Sequence, residues 1–194
     1  FRLTLLEYLI VGLIVVSMAM LGVLPAVGIG MLLSALVFVF NYARIQVIKY
    51  VIEGTTYRST VDRPAMDQRL LSKRPGWMQI MVLQGYIFFG TAGEISETVQ
   101  NILHENEDQR LRFLLLDFRQ VTGMDASAMV EFQKIRKMIQ DEDVSIVLTT
   151  MPTSILQLME RDVKVQEDER WQIFDQLDDG LQWCEDQQLA SFND

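Results

Sequence analysis

Leu114-Leu115-Leu116-Asp117-Phe118-Arg119-Gln120-Val121-Thr122-Gly123-Met124-Asp125-Ala126-Ser127-Ala128 decides how the water-exposed part of this chain folds. The apolar run Phe113-Leu114-Leu115-Leu116 at its start has no polar alternation, which predicts a strand over Leu111–Phe118 covered on both faces. Arg119–Met124 reads as a connecting loop. Asp125 stands where a helix N-cap belongs, and a helix is expected from Ala126 to Gln140 with Met129, Phe132, Ile135 or the Arg136 stem, and Ile139 inward. Ser127 then falls in the first turn, where free amides and the helix dipole favour a phosphate. The alternative on the same residues is that Asp125 caps, Ser127 packs or caps, and neither is modified.

Strand and helix patterns alternate on both sides of this stretch. Met78–Leu83 and Tyr86–Phe89 read as strands separated by a turn at Gly85. Thr91-Ala92-Gly93-Glu94 resembles a capping box opening a helix with Ile95, Val99, Ile102 and Leu103 on one face. Glu105–Arg110 reads as a polar loop. Val144–Leu148 is a further apolar strand, Pro152 opens a short helix with Ile155, Leu156 and Met159, and Trp171–Phe174 is a short last strand. A final helix, Asp175–Gln188, turns Leu177, Leu181 and Cys184 inward. Helices that follow strands imply an α/β fold with a mixed, mostly parallel sheet.

The N-terminal part has a different character. Tyr8 to Ala43 is 36 residues without a charged side chain. One straight helix of that length would be about 54 Å long, too long for one crossing of a core of roughly 30 Å. Leu24-Pro25-Ala26-Val27-Gly28-Ile29-Gly30 interrupts it. The expectation is a transmembrane helical hairpin over residues 1–43, with helices about Leu3–Leu24 and Val27–Ala43. A basic juxtamembrane linker (44–75) and a water-exposed domain (76–190) follow. Phe1 is not an initiating methionine, and a chain opening on a membrane segment reads as a piece of something longer.

Charge assigns sides and excludes partners. Arg44 to Arg74 holds seven Lys/Arg against Glu53, Asp62 and Asp67. Such an excess beside a membrane segment favours the cytoplasmic side; it reads first as a topology signal only, with contact with anionic lipid as the alternative. From Pro75 onward nine basic residues face 22 acidic ones, a balance that argues against nucleic acid. The single cysteine, Cys184, excludes an intrachain disulfide and reads as a packed side chain. The single histidine, His104, has no second His or Cys to complete a metal set and no nucleophile pattern around it. No catalytic residue, metal site or cofactor is expected.

Val82-Leu83-Gln84-Gly85-Tyr86-Ile87-Phe88-Phe89-Gly90-Thr91-Ala92, together with Leu114–Phe118 and Val121–Ala128, resembles a STAS domain. STAS domains are shared by sulfate transporters and bacterial anti-sigma-factor antagonists. The uncharged hairpin running through Arg44 into this domain is similar to the last membrane segments of a SulP-family anion transporter. The resemblance implies a multi-pass membrane protein with a cytoplasmic STAS domain, carrying sulfate or a related inorganic anion. Its substrate site would lie upstream of Phe1, near broken helices at the midplane. It also implies a homodimer, and a regulatory protein or nucleotide as partner of the STAS domain. Ser127 matches the phosphorylated serine of the antagonists, with Asp125 beside it; Ala126 and Ala128 depart from the antagonist pattern. The other function class is a membrane-tethered STAS scaffold without transport activity.

Overall fold

A computed structural model describes residues 5–43, 46–73, 75–105 and 111–192. Arg44, Arg74 and most of the expected loop Glu105–Arg110 lie outside these. The chain divides into two compact units, residues 1–45 and 46–194.

In the first unit, α1 (Leu5–Leu21) and α2 (Val23–Ala43) fold back on each other. The reversal is at Gly22, whose φ of +88° suits glycine. It is not at Pro25, as expected. Pro25 lies in the first turn of α2, where a missing N–H costs nothing. Gly30 comes so close to Ile14 that a Cβ there would stand 3.1 Å from Ile14 Cδ1. The two helices reverse on each other, but among the described residues no helix is long and apolar enough to cross a membrane, so the fold does not confirm the expected transmembrane hairpin.

The second unit is a five-stranded sheet in the order β1-β2-β3-β4-β5: β1 (Ile48–Glu53), β2 (Met78–Ile87), β3 (Phe113–Met124), β4 (Ser145–Thr149) and β5 (Trp171–Phe174). β2 to β5 are parallel and β1 is antiparallel to β2, so the mixed, mostly parallel sheet is observed. Helices α4 (Phe89–Glu105), α5 (Met129–Met138) and α6 (Thr153–Asp162) cover one face. There Ile95, Val99, Phe132, Ile135, Ile155 and Met159 bury against Leu114, Leu116, Phe118, Ile146 and Leu148. On the other face Leu71 of α3 (Ala65–Lys73) and Leu177, Leu181 and Cys184 of α7 (Leu177–Ala190) meet Ile80, Val82, Phe113, Leu115 and Val147.

Four differences from the sequence reading have physical causes. Gly85 does not turn the chain. With φ at +74° it sits at an irregularity in one continuous β2, which stays paired to β3 on both sides of it (Gln84 opposite Gln120, Gly85 opposite Val121, Tyr86 opposite Gly123). By the same pairing Arg119–Met124 is strand rather than loop. The segment 44–75, read as a linker from its charge, contains β1 and α3. Helix α4 starts two residues before Thr91. The Thr91 hydroxyl accepts from Phe88 N at 3.0 Å, capping from inside the first turn instead of preceding it.

Candidate functional site

β2 and β3 end side by side, and Asp125 N donates to Ile87 O at 3.1 Å. Asp125 is extended (φ −102°, ψ 167°), and its Oδ1 accepts from Ser127 N at 2.9 Å and Ala128 N at 3.2 Å. It therefore caps a short 3-10 turn, Ala126–Ala128, that leads into α5. The Ser127 hydroxyl donates to the same Oδ1 at 2.5 Å and accepts from Phe89 N, in the first turn of α4, at 3.0 Å. The starts of two helices thus meet over one carboxylate and one hydroxyl. Ser127 is exposed, and Tyr86, Phe89 and Val130 stand exposed on the elements around it. A phosphoryl group on Ser127 Oγ would meet two opposed fields: the helix N-termini favour it and the Asp125 carboxylate repels it. Such a group would rearrange this corner rather than simply add to it.

The sequence singled out Asp125 and Ser127 but missed the contact of Ser127 with Phe89, because no local spacing encodes it. It also missed a second set of residues. The segment between β1 and α3 is strapped across α7. Ser59 donates through its amide to Glu185 Oε1 at 3.0 Å and through its hydroxyl to Oε2 at 2.6 Å. Thr60 engages Asp178 in the same way, at 2.8 and 2.6 Å. Arg63 donates to Glu185 Oε2 at 2.8 Å and to Asp186 Oδ1 at 2.7 Å. Glu185 is buried, and these donors supply what its charge needs.

Beside this strap a cleft of about 370 Å³ opens at the C-terminal ends of β4 and β5, next to Arg119 in the middle of β3, lined among others by Tyr57, Arg58, Arg119, Thr150, Asp175 and Asp178. Ligands of open α/β sheets bind at that end of the strands. Asp117, fully buried, holds Arg119 at its rim by accepting from Arg119 N and its guanidinium, both at 3.0 Å.

The remaining residues weighed for chemistry fall elsewhere. Cys184 is buried in the core under α7, and burial pushes its thiol well above the ordinary range. His104 is exposed in the last turn of α4, its Nε2 3.4 Å from Gln100 Nε2. Among the described residues no group of three or more His, Cys, Asp or Glu is arranged to hold a metal ion.

Comparison with known proteins agrees with this architecture. The STAS domain family matches residues 71–179, more than half of the chain, and the chain belongs to that family. It is 26% identical over 96% of its length to a vacuolar basic amino acid transporter of Saccharomyces cerevisiae. It is 26% identical over 49% of its length to sulfate transporter 1.2 of Arabidopsis thaliana. It spans only 18% and 16% of those two proteins. The inward-facing structure of the murine Solute Carrier 26 family member A9 anion transporter shares its fold, with a TM-score of 0.62 over 94% of this chain and 29% of that one at 16% identity.

Proposed function

We propose that the chain is the C-terminal part of a SulP-type secondary transporter: a membrane hairpin followed by a cytoplasmic STAS domain that serves dimerisation, regulation or trafficking. The observation that carries this is the direct joining of two unlike units. α1 and α2 present Leu24, Met20 and Met31 at 86%, 79% and 71% exposure, within 36 residues that bear no charge. A surface of that kind belongs against lipid or protein. It runs straight into a sheet domain whose surface carries abundant charge. Transporter relatives that extend far beyond this chain support the reading, as does the likeness to an anion transporter fold.

Sulfate or a related inorganic anion is the cargo this reading assigns, bound in parts of the protein outside this chain. A second cargo class, basic amino acids, is favoured by the yeast relative, whose likeness covers nearly all of the chain. Regulation is assigned to the Asp125–Ser127 corner through phosphorylation of Ser127, or through a partner protein on its apolar rim. The cleft beside Arg119 is the place for a nucleotide. The assembly is a homodimer.

The native mass tests this against a tethered scaffold. An antibody to the segment 75–194 should detect, in membranes, a polypeptide several times larger than 22.4 kDa. A native chain close to 22.4 kDa would leave no room for a transport pathway and would establish the scaffold instead.

A further inference from the structure

The sheet begins with β1, which pairs on one side only, with β2. Gly54 N donates to Met78 O at 2.9 Å, and Ile52 lies opposite Ile80. In an antiparallel ladder successive residues turn their backbone groups to opposite sides. Ile52 and Gly54 are therefore turned to β2, while Val51 and Glu53 turn their N–H and C=O groups to the outer edge. Among the described residues no strand covers that edge.

Open edges are normally blunted. This one carries Tyr50 and Val51 at 56% and 44% exposure, with a positive and a negative side chain two residues to either side of Val51. Lys49-Tyr50-Val51-Ile52-Glu53 is complementary to its own reverse. About a two-fold axis through Val51, Tyr50 falls opposite the partner's Ile52 and Val51 opposite the partner's Val51, while Lys49, at the irregularity between Ile48 and Tyr50, falls beside the partner's Glu53. Opposite charges and aromatic–β-branched pairs are the cross-strand neighbours that stabilise antiparallel sheets, and like charges directly opposite destabilise them. A two-fold interface demands this self-complementarity. Lys49 now donates to Gln120 Oε1 at 3.0 Å, and an ammonium has further donors to offer a carboxylate.

We infer that two copies of this chain join edge to edge through β1, antiparallel and centred on Val51, so that one sheet runs through the two-fold axis. This rests on the homodimer of the proposed function and assigns its interface.

The test uses the full-length protein in membranes or detergent. Val51→Cys places two thiols on opposed residues with Cα atoms about 5.5 Å apart, within disulfide reach. Mild oxidation should double the apparent mass on a non-reducing gel, and the same treatment should leave the wild-type chain unchanged. Lys49→Glu or Glu53→Lys alone sets like charges beside each other at both ends of the pair, and each should weaken dimerisation by about tenfold. The two together restore opposite charges and should return affinity to near wild type. A dimer that persists unchanged in both single variants, with no cross-link at position 51, overturns the β1 interface and leaves the homodimer standing. A wild-type protein that is monomeric at micromolar concentration overturns both. Slow amide exchange at Val51 and Glu53 that ignores protein concentration and the charge reversals also overturns it, because a segment of the same chain would then cover the edge.

Discussion

The Ser127 hydroxyl donates to Asp125 Oδ1 at 2.5 Å while accepting from Phe89 N at 3.0 Å. One exposed hydroxyl therefore links the cap of the turn before α5 to the first turn of α4. Ser127→Asp places a second carboxylate against Asp125 and removes the hydroxyl between them. Transport or partner binding by the full-length protein should change while the thermal midpoint moves by no more than a few degrees. Unchanged uptake and unchanged binding would remove Ser127 from any regulatory role.

Asp125→Ala removes the acceptor of two backbone amides. Loss of an N-cap costs about 1 kcal/mol, to be read as a lower urea midpoint with an unchanged slope. A loss below ~0.3 kcal/mol would mean that water replaces the cap at no cost.

Glu185 should matter more to stability than any surface pair. Its carboxylate is buried and takes Ser59 and Arg63 together. Glu185→Ala strands those donors and should cost about 3 kcal/mol. Hydrogen exchange should rise across residues 54–64. Equal exchange there in variant and wild type would show that the strap is held by something else.

Acid sensitivity should concentrate at Asp168. Hydrogen bonding from Arg170, whose Nε lies 3.0 Å from its Oδ1, holds this carboxyl below the usual range against the opposing effect of burial, and Arg136 adds to the shift. A depressed folded-state pKa means stability that is fully present above the unfolded value, about 3.9, and lost as pH falls through the folded one. Asp168→Asn should therefore destabilise the protein at pH 7 and converge on wild type as pH falls through the depressed folded-state value. A stability difference that stays constant from neutral to strongly acidic pH would contradict the assignment.

Gly180 lets α7 lie close on the sheet. A Cβ there would stand 2.7 Å from Thr149 Cγ2 and 3.2 Å from Val147 Cγ1, both on β-branched side chains of β4. Gly180→Ala should cost about 1–3 kcal/mol through overpacking, despite its better helix propensity. A stabilised variant would mean the helix can shift outward freely.

The parts of this fold legible in the sequence are those that local pattern controls. Val144–Leu148 was readable because strands covered on both faces are short apolar runs, and Trp171–Phe174 because aromatic and β-branched residues are enriched in strands. Phe132, Ile135, Leu181 and Cys184 were readable because helical periodicity sets them inward. β1 was hidden because an edge strand tolerates Lys49 and Glu53, which made its segment look like a charged linker. Gly85 looked like a turn because its backbone freedom is local, whereas the continuity of β2 comes from pairing with β3. At the candidate corner, Asp125 announced itself as a cap, but Phe89, which donates to Ser127, is 38 residues from that serine in sequence. The strap was beyond reach for the same reason: Ser59 and Glu185 are 126 residues apart, and only the packed sheet brings them together.

Uptake by the full-length protein in sealed liposomes tests the central claim most directly. Radiolabelled sulfate should accumulate saturably above empty liposomes and be competed by related anions, with basic amino acids run in parallel as the second cargo class. Vesicles that contain folded protein and yet accumulate no sulfate, chloride, bicarbonate, arginine or lysine would contradict the transporter and leave a membrane-tethered STAS scaffold.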